Sequence, residues 1–352
     1  IKADAYGHGA VALAKFMEGL GIDRFVVSVA SEAMELRKAG IEEDILMLNY
    51  LEDNYLEEVV KYNLTSAIFS YEKAKKLSDE AIRQNKVAKI HIALDTGMSR
   101  IGFQADEVHR AKSVEDILKI SKLENIDIEG IFTHFYCSSE IDHDITNKQF
   151  QLFKEAVQSL DYPFEWIHCD NSDATIFFQD ELSNACRVGI SLYGLSPYTN
   201  ALKSVVSLYT QIFMTKTIHK GETVGYGALH TAEEDEIIGT CPIGYADGFI
   251  RKNTGRKVYV DGEYAEVVGN VCMDQTMIRL PHDVKVGTTV EIFGNHISIE
   301  QMAQELDTIS YEIMCLISER VTRKYIRHNK IMKECNQRLI NSNIQKNNII
   351  SH

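Results

Sequence analysis

Short apolar segments alternate with amphipathic segments over roughly the first 205 residues, and this alternation constrains the fold more than any other feature. The apolar segments, rich in β-branched residues, are expected to be strands; they cover residues 24–30, 44–50, 65–70, 88–95, 128–135, 164–168 and 184–190. The clearest helical patterns between them cover residues 31–40, 71–86 and 147–160. Alternating strands and helices form parallel sheets. The sequence therefore predicts seven parallel strands, and eight if Lys2 ends a further strand that begins upstream of Ile1.

Two folds share this local pattern: a (β/α)8 TIM-like barrel, which needs about 200 residues, and a doubly wound sheet. The positions of the polar residues favour the barrel. At the carboxyl ends of predicted strands lie Lys2, Asp95, His134, His168 and Arg187. In a barrel, that end carries the active site.

The pattern changes after about residue 205 to closely spaced strands with glycine-containing turns such as HKGET and VDGEY, which predicts antiparallel strands. Helical patterns return in ISIEQMAQEL (297–306) and YEIMCLISERVTRKYI (311–326). We therefore divide the chain into an α/β barrel (1–205), a C-terminal mainly-β domain (206–334) and a tail (335–352). The tail is expected to be a helix that frays into disorder.

Charge and cysteine content exclude several classes of function. A formal net charge of −14 and a pI near 5.4 repel phosphate backbones, so we expect no nucleic-acid partner. No apolar run approaches the roughly 18 residues of a membrane helix. The 7 cysteines are odd in number and lack CxxC spacing, which argues against a disulfide framework and a structural metal site. We expect no metal and a cytoplasmic location, although an upstream membrane anchor is not excluded, since the sequence begins with Ile1.

The polar residues at the predicted strand ends are individually ambiguous. Lys2, followed by a tyrosine and glycines in KADAYGHG, is either a solvated surface group or a Schiff-base amine in the barrel mouth. By themselves, Arg187 suits a surface salt bridge and His134 a core histidine. Cys272 is rejected as a nucleophile because no histidine lies near it in sequence to activate it.

Eight motifs in order give these residues a common context. They are KADAYGHG (2–9), DTGMSRIGF (95–103), THF (133–135), HCDNSDA (168–174), RVGISLYGL (187–195), GYGA (225–228), GYADGF (244–249) and VCMDQTMI (271–278). Together they resemble the alanine racemase family, which are fold-type III pyridoxal-phosphate enzymes. The resemblance implies a barrel followed by a β domain, pyridoxal 5'-phosphate as cofactor, and a homodimer with shared active sites.

The resemblance also implies two opposed bases, because racemisation removes a proton from one face of the substrate and returns it on the other. Lys2 would hold the cofactor and act as one base, and Tyr226 from the partner subunit would be the second. Arg187 would contact the pyridine nitrogen, and His134 would link Tyr226 to Arg187. A guanidinium rarely gives up its proton. The ring nitrogen would therefore stay unprotonated, which disfavours transamination.

The remaining implied contacts hold the phosphate and the substrate. The phosphate would be bound by Ser172, Gly189, Ile190, Tyr6 and Tyr311, and for the two tyrosines the alternative is ordinary aromatic packing. Arg100 would contact the cofactor's phenolic oxygen near the substrate carboxylate, which the backbone of Met273 from the partner subunit would help to hold.

Two departures and three alternatives remain. Many family members carry a carbamylated lysine that orients the arginine matching Arg100. Here the position of that lysine is Ala93, and RVTR (320–323) replaces the commoner RVPR.

We predict an alanine racemase that supplies D-alanine for peptidoglycan. The main alternative is a serine racemase, as the catalytic module of a membrane-anchored resistance protein; retention of Tyr311 slightly favours alanine. A barrel-type decarboxylase would pair the ring nitrogen with a carboxylate, and a non-catalytic phosphate-binding barrel would not use Lys2.

Overall fold

A computed structural model of the protein describes residues 1–139, 143–178, 180–196, 198–199 and 201–336. The chain divides into two compact units. The first comprises Ile1–Ala5 and Ala10–Lys203, and the second comprises Tyr6–Gly9 and the chain from Ser204 onwards.

The first unit contains a parallel sheet. Its strands are β1 (Arg24–Val27), β2 (Asp44–Met47), β3 (Thr65–Ile68), β4 (Ala88–Asp95), β6 (Ile126–Phe132) and β7 (Trp166–His168), with the short β5 (Phe103–Gln104) paired to β4. The order in space is β1-β2-β3-β4-β6-β7, which follows the sequence. A doubly wound sheet reverses its strand order at a switch point. The sequential order therefore confirms the predicted barrel fold and excludes the doubly wound alternative.

Burial explains why these segments form parallel strands. All four residues of β3 are buried, and Ile90 and Ile92 of β4 are 0% exposed, as expected for strands covered on both faces. A left-handed turn, α1 (Lys2–Tyr6), precedes the helices. The helices of this unit are α2 (Ala10–Glu18), α3 (Ala30–Lys38), α4 (Leu56–Lys61), α5 (Tyr71–Arg83), α6 (Arg110–Ile120), α7 (Asp144–Leu160) and α8 (Ser172–Phe177). In α5, Ala74, Leu77 and Ala81 are buried at helical spacing, so this helix packs through one apolar face.

The predicted strand at 184–190 does not form. Asn184 N–H donates to the carbonyl of Ile167, but the Asn184 side chain in turn accepts the Ile167 N–H at 2.9 Å. That side chain occupies the donor that a continuing ladder would use. The segment instead runs as a loop into a 3-10 turn, Ile190–Tyr193. Of the seven predicted parallel strands, six are found among the described residues.

The second unit is mainly antiparallel, as predicted. Its elements are β8 (Leu208–Gln211), β9 (Met214–Ile218), β10 (Thr223–Val224), β11 (His230–Thr231), β12 (Glu236–Cys241), β13 (Lys257–Val260), β14 (Glu263–Val268), β15 (Thr276–Leu280), β16 (Thr289–Phe293), α9 (Ile299–Glu305), α10 (Ser310–Leu316), β17 (Arg323–Arg327) and β18 (Lys330–Cys335). Seven strands form one sheet in the order β8-β16-β13-β14-β15-β12-β9. Strand β15 alternates buried and less buried residues, which gives the sheet one apolar face.

The end of this unit departs from the prediction. The expected helical segment at 311–326 is helical only to Leu316, and its last residues form β17, which pairs with β18 in a hairpin. Most of the predicted tail (335–352) lies outside the described residues. Within the described residues, no helix has the length and apolar character needed to span a membrane.

Candidate active site

Lys2 opens a left-handed turn, and Ile1 just before it donates its amine N–H to the carbonyl of Val26 in β1 at 2.7 Å. The strand predicted upstream of Ile1 stays a prediction. The φ angles are 52° for Ala3 and Asp4, 53° for Ala5 and 54° for Tyr6. Left-handed backbone costs about 1–2 kcal/mol per residue, so other contacts must hold it. The carboxylate of Glu32 accepts the N–H of Ala3 at 2.6 Å and the N–H of Ser28, just beyond β1, at 2.7 Å. Glu32 therefore fixes the backbone of Lys2 beside the end of β1.

Arg187 is the most heavily bonded side chain at this end of the sheet. Its Nη1 donates to Nδ1 of His168 at 2.5 Å and to the His168 carbonyl at 2.8 Å. Its Nη2 donates to the carbonyls of Thr133 at 2.7 Å and Cys169 at 3.0 Å. These acceptors follow β6 and end or follow β7, so the parallel sheet itself orients the guanidinium.

One donor of Arg187 remains available. Its Nε is buried and has no hydrogen-bond partner among the described residues. Burial lowers the pKa of Arg187 to about 10, so the group stays charged at neutral pH. A buried, charged N–H without an acceptor is costly unless a ligand satisfies it. An aromatic ring nitrogen with a free lone pair, as in pyridoxal phosphate, fits this donor.

His134 lies beside the same guanidinium and is neutral. Its Nδ1 is 3.4 Å from Nη2 of Arg187, which can only donate, so Nδ1 is the acceptor and the ring proton resides on Nε2. Burial and then the charges of Arg187, Arg100 and Lys2 lower the pKa of His134 to about 3. The Nε2–H of His134 is therefore a neutral hydrogen-bond donor at physiological pH.

Three of the predicted phosphate-binding residues come together. The hydroxyl of Ser172, the first residue of α8, accepts the N–H of Gly189 at 2.9 Å and the N–H of Ser191 at 3.4 Å. Ile190 lies between these two residues and begins the 3-10 turn. Backbone N–H groups and a hydroxyl gathered at the start of a helical turn suit a phosphate.

Arg100 is the arginine that the resemblance implies binds the substrate carboxylate. It is exposed and makes no hydrogen bond or ion pair with another described residue. Ala93 is 1% exposed and packs with Ala67 and Phe132 in an apolar cluster. The position of the modified lysine is therefore filled by apolar packing in this chain.

Tyr226, in the second unit, presents its side chain to solvent. It is 76% exposed, although its backbone is well held. The side chain of Asn270 donates to the Tyr226 carbonyl at 2.7 Å, and Arg251 donates to Oδ1 of Asn270 at 2.7 Å. Gly225 and Gly227 on either side have φ angles of 70° and 76°, so the turn itself requires glycines. A large side chain on a fixed, exposed turn is suited to act on a ligand or another molecule.

Met273 is also exposed, at 53%, on a firmly held backbone. The carbonyls of Cys272 and Met273 accept N–H groups from Tyr245 and Ala246 at 3.1 and 3.0 Å. A Cβ atom on Gly244 would lie 2.3 Å from the Cys272 carbonyl oxygen, so only glycine permits this approach. The motif GYADGF therefore supports the motif that contains Met273.

Tyr6 and Tyr311 contact each other within the second unit. Their ring centroids are 5.8 Å apart and the rings are tilted by 60°. Burial and then the neighbouring Cys315 raise the pKa of Tyr6 to about 12, so its hydroxyl keeps its proton and can donate. The geometry suits both tyrosine packing and a pair of hydroxyl donors.

Sequence reasoning missed several residues that position these groups. Glu32 was hidden inside a predicted helix, and Asn270 precedes a recognised motif without belonging to it. His168 was noticed at a strand end but received no role, whereas the structure makes it the nearest side chain to Arg187. Its place in HCDNSDA was the available signal.

The chain matches family models for the alanine racemase N-terminal domain over residues 1–197 and C-terminal domain over residues 205–325. An alanine racemase of Clostridium tetani is 42% identical over an alignment of 349 residues that covers 94% of this chain and 89% of that protein. A solved alanine racemase of Clostridium difficile 630 superposes with a TM-score of 0.91 at 38% identity, covering 96% of this chain and 90% of that one.

The alanine racemase of Bacillus anthracis, solved with bound L-Ala-P, has a TM-score of 0.90 and 34% identity, again over 96% of this chain and 90% of that one. Matches of this extent cover both units and every motif described above. The chain belongs to the alanine racemase family of pyridoxal-phosphate enzymes.

Proposed function

We propose that this protein is an alanine racemase that interconverts L- and D-alanine with pyridoxal 5'-phosphate, supplying D-alanine for peptidoglycan in the cytoplasm. The observation that carries the proposal is the buried, charged and unpartnered Nε of Arg187, which suits a pyridine nitrogen. The relatives described above are all named alanine racemases, so a serine racemase is not favoured.

When bound, the cofactor supplies an electron sink for the negative charge that develops at the substrate Cα. Arg187 donates its Nε–H to the ring nitrogen and keeps it unprotonated, because a guanidinium whose pKa is about 10 does not transfer its proton to a pyridine. An unprotonated ring nitrogen would make the bound cofactor a weaker electron sink, which would favour proton return to Cα over transamination.

Two residues of the chain move the proton. Lys2 would hold the cofactor and would remove or return a proton on one face of the substrate Cα, and the partner subunit's Tyr226 would do so on the other face. His134, neutral and protonated at Nε2, donates toward the tyrosine oxygen and stabilises its ionised form. The exposure of Tyr226 supports its use by another copy of the chain.

The other predicted residues bind the cofactor phosphate and the substrate carboxylate. Ser172 and the N–H groups of Gly189 and Ile190, with the hydroxyls of Tyr6 and Tyr311, bind the phosphate. Arg100 and the partner subunit's Met273 hold the substrate carboxylate. Because Ala93 cannot carry a carbamate, the substrate or an anion completes the coordination of Arg100.

The direct test incubates the protein separately with L-alanine and L-serine and measures each D-enantiomer with a D-specific oxidase. We expect rapid formation of D-alanine and much slower formation of D-serine. Equal inactivity on both would refute a racemase, and a preference for serine would reverse the substrate assignment.

A mixing experiment tests the shared site. Lys2→Ala and Tyr226→Phe chains are each expected to be inactive. Random reassortment of a twofold dimer should restore about one quarter of the sites, since half of the dimers are mixed and each has one intact site. No recovery after verified subunit exchange would place both bases in the same chain.

A further inference from the structure

A chain of buried polar side chains leads from Arg187 into the interior of the first unit. His168 Nε2 lies 2.8 Å from Nδ1 of His91, in the middle of β4. Nε2 of His91 lies 4.0 Å from a carboxylate oxygen of Glu129 on β6. We propose that His91 and Glu129 are positioning residues that hold Arg187 toward the cofactor through this chain. The inference rests on the proposed role of Arg187.

The direction of these hydrogen bonds follows from Arg187. Arg187 can only donate, so Nδ1 of His168 accepts and the His168 proton resides on Nε2. That proton points to Nδ1 of His91, which must also accept, so the His91 proton resides on Nε2. The His91 Nε2–H lies 4.0 Å from the Glu129 carboxylate, a distance at which the attraction is electrostatic and no hydrogen bond forms. The two hydrogen bonds both point from the guanidinium inward, and reversing either would leave two donors or two acceptors facing each other.

The backbone is shaped to permit this arrangement. Along the β4–β6 pairing, Ile90 faces Ile128 but His91 faces Gly130, so Glu129 is the extra residue of a β-bulge. Bulges redirect side chains and recur near active sites. A Cβ atom on Gly130 would lie 2.6 Å from Cε1 and Nδ1 of His91. The EG pair of IEGIFTHF thus supplies both the redirected carboxylate and the space for the imidazole.

The linked side chains from Arg187 to Glu129 are buried, and the last of them is charged. His91 is 5% exposed and Glu129 is 6% exposed, and Lys89 and the hydroxyl of Thr65 also contact Glu129. No carboxylate of a described residue forms an ion pair with Arg187. The guanidinium is therefore held by neutral acceptors, and Glu129 provides an anionic end that polarises the chain.

Burial together with nearby positive charges keeps both rings neutral. Burial, and then the charges of Arg24, Arg187 and Lys89, lower the pKa of His91 to about 3. Burial, and then the charge of Arg187, hold the pKa of His168 well below its usual range. A protonated ring at either place would repel Arg187 and break the direction of donation.

The first measurement needs neither substrate nor cofactor. Ring-nitrogen NMR of protein labelled with ¹⁵N-histidine should show His91 and His168 as neutral Nε2–H tautomers at neutral pH, with assignment by His91→Phe and His168→Phe. An Nδ1–H tautomer or an imidazolium at either ring would overturn the proposal. This outcome is independent of whether Arg187 binds the cofactor.

The second measurement uses Glu129→Gln, which removes the charge but keeps the shape. We expect a population of the other His91 tautomer and a loss of cofactor affinity of about 2- to 30-fold, the range for a residue that acts on a site through intermediate side chains. Gly130→Ala, which displaces the imidazole, should lower affinity in the same direction. Affinity is measured by titrating the apoenzyme with pyridoxal phosphate.

Glu236→Gln is the matched control, since Glu236 is a buried carboxylate bonded to His230 at 2.6 Å in the second unit. It should lower the melting temperature without altering cofactor affinity or the His91 tautomer. If Glu129→Gln behaves like this control, the linked side chains from Arg187 to Glu129 have only a structural role. If Arg187→Lys leaves cofactor affinity unchanged while the tautomers are as expected, the proposed role of Arg187 is wrong, but the hydrogen-bond directions from Arg187 to His91 are confirmed.

Discussion

The two units prepare their functional residues in opposite ways. In the first unit, Arg187 and His134 are embedded among carbonyls and imidazoles that fix the direction of each donor. In the second unit, Tyr226 and Met273 are 76% and 53% exposed, and only their backbones are held. A buried charge needs hydrogen-bond partners from its own unit or from a bound ligand, whereas an exposed side chain is solvated by water until it contacts another molecule.

Substitutions in the two units should therefore affect different properties of the protein. Changes near Arg187 disturb a polar network with few alternatives, so stability, cofactor binding and pH dependence should respond together. Changes near Tyr226 leave the fold intact and should alter proton transfer alone. The following predictions separate these two behaviours.

The largest effect is expected for Lys2→Ala. Loss of the cofactor-holding amine and of one base should lower racemisation by about 10⁴-fold, the upper range for a positioned acid–base group. The visible absorption of the bound cofactor should shift as well. Activity is followed with a D-specific oxidase. Lys15→Ala, at an exposed position of α2, serves as control, and a similar loss there would contradict a special role for Lys2.

Tyr226→Phe should come next. Exchange of the Cα proton of L-alanine with deuterated solvent should slow by about 10²- to 10³-fold, because the base on that face is lost. Exchange from D-alanine should be less affected, since Lys2 serves that face. Proton NMR of each enantiomer measures both rates. Tyr209→Phe, at another exposed tyrosine, should change neither, and equal slowing from both enantiomers would argue against two opposed bases.

The pH dependence of stability should distinguish the buried histidines. The pKa of His134 is about 3 in the folded protein, against 6.5 for an ordinary solvated histidine, so between these values only the unfolded chain binds the proton. Its contribution is complete above pH 6.5 and is lost as the pH falls toward 3. The unfolding free energy should decrease by about 1.4 kcal/mol per pH unit for this group.

Denaturant unfolding across this range tests that slope. The variant His134→Gln should lower the slope by the contribution of one histidine, because His91 and His168 keep theirs. His219→Gln should not, because Asp235 raises the pKa of the exposed His219, whose contribution is therefore fully present below pH 6.5 and is lost only as the pH rises above that value. Identical slopes in wild type and His134→Gln would show that His134 is not neutral in the folded protein.

The smallest effect is expected for Asn270→Ala. Removing the neutral hydrogen bond to the Tyr226 carbonyl should loosen the turn and slow exchange from L-alanine by about three- to tenfold. The melting temperature should change little, because this region is exposed. A large loss of stability would mean that the second unit depends on this contact as the first depends on Arg187.

Much of this architecture was predictable. The β/α alternation identified six of the strands and their parallel pairing, and the glycine turns identified the antiparallel unit. The errors have local physical causes. Asn184 diverts a backbone donor and prevents the predicted last strand, and the helical pattern at 311–326 gives way to the β17–β18 hairpin because cross-strand pairing overrides local periodicity.

The sequence by itself determined the fold class, the family and the identities of the candidate residues, because ordered motifs and periodicity are local properties of the chain. Only the tertiary structure decided which partners orient them. The link between Arg187 and Glu129 runs through His168 on β7 and His91 on β4, so its four residues lie on four different segments. A β-bulge that no periodicity reveals redirects the Glu129 carboxylate. Hydrogen-bond direction depends on distances between segments remote in sequence, and those distances exist only once the sheet has formed.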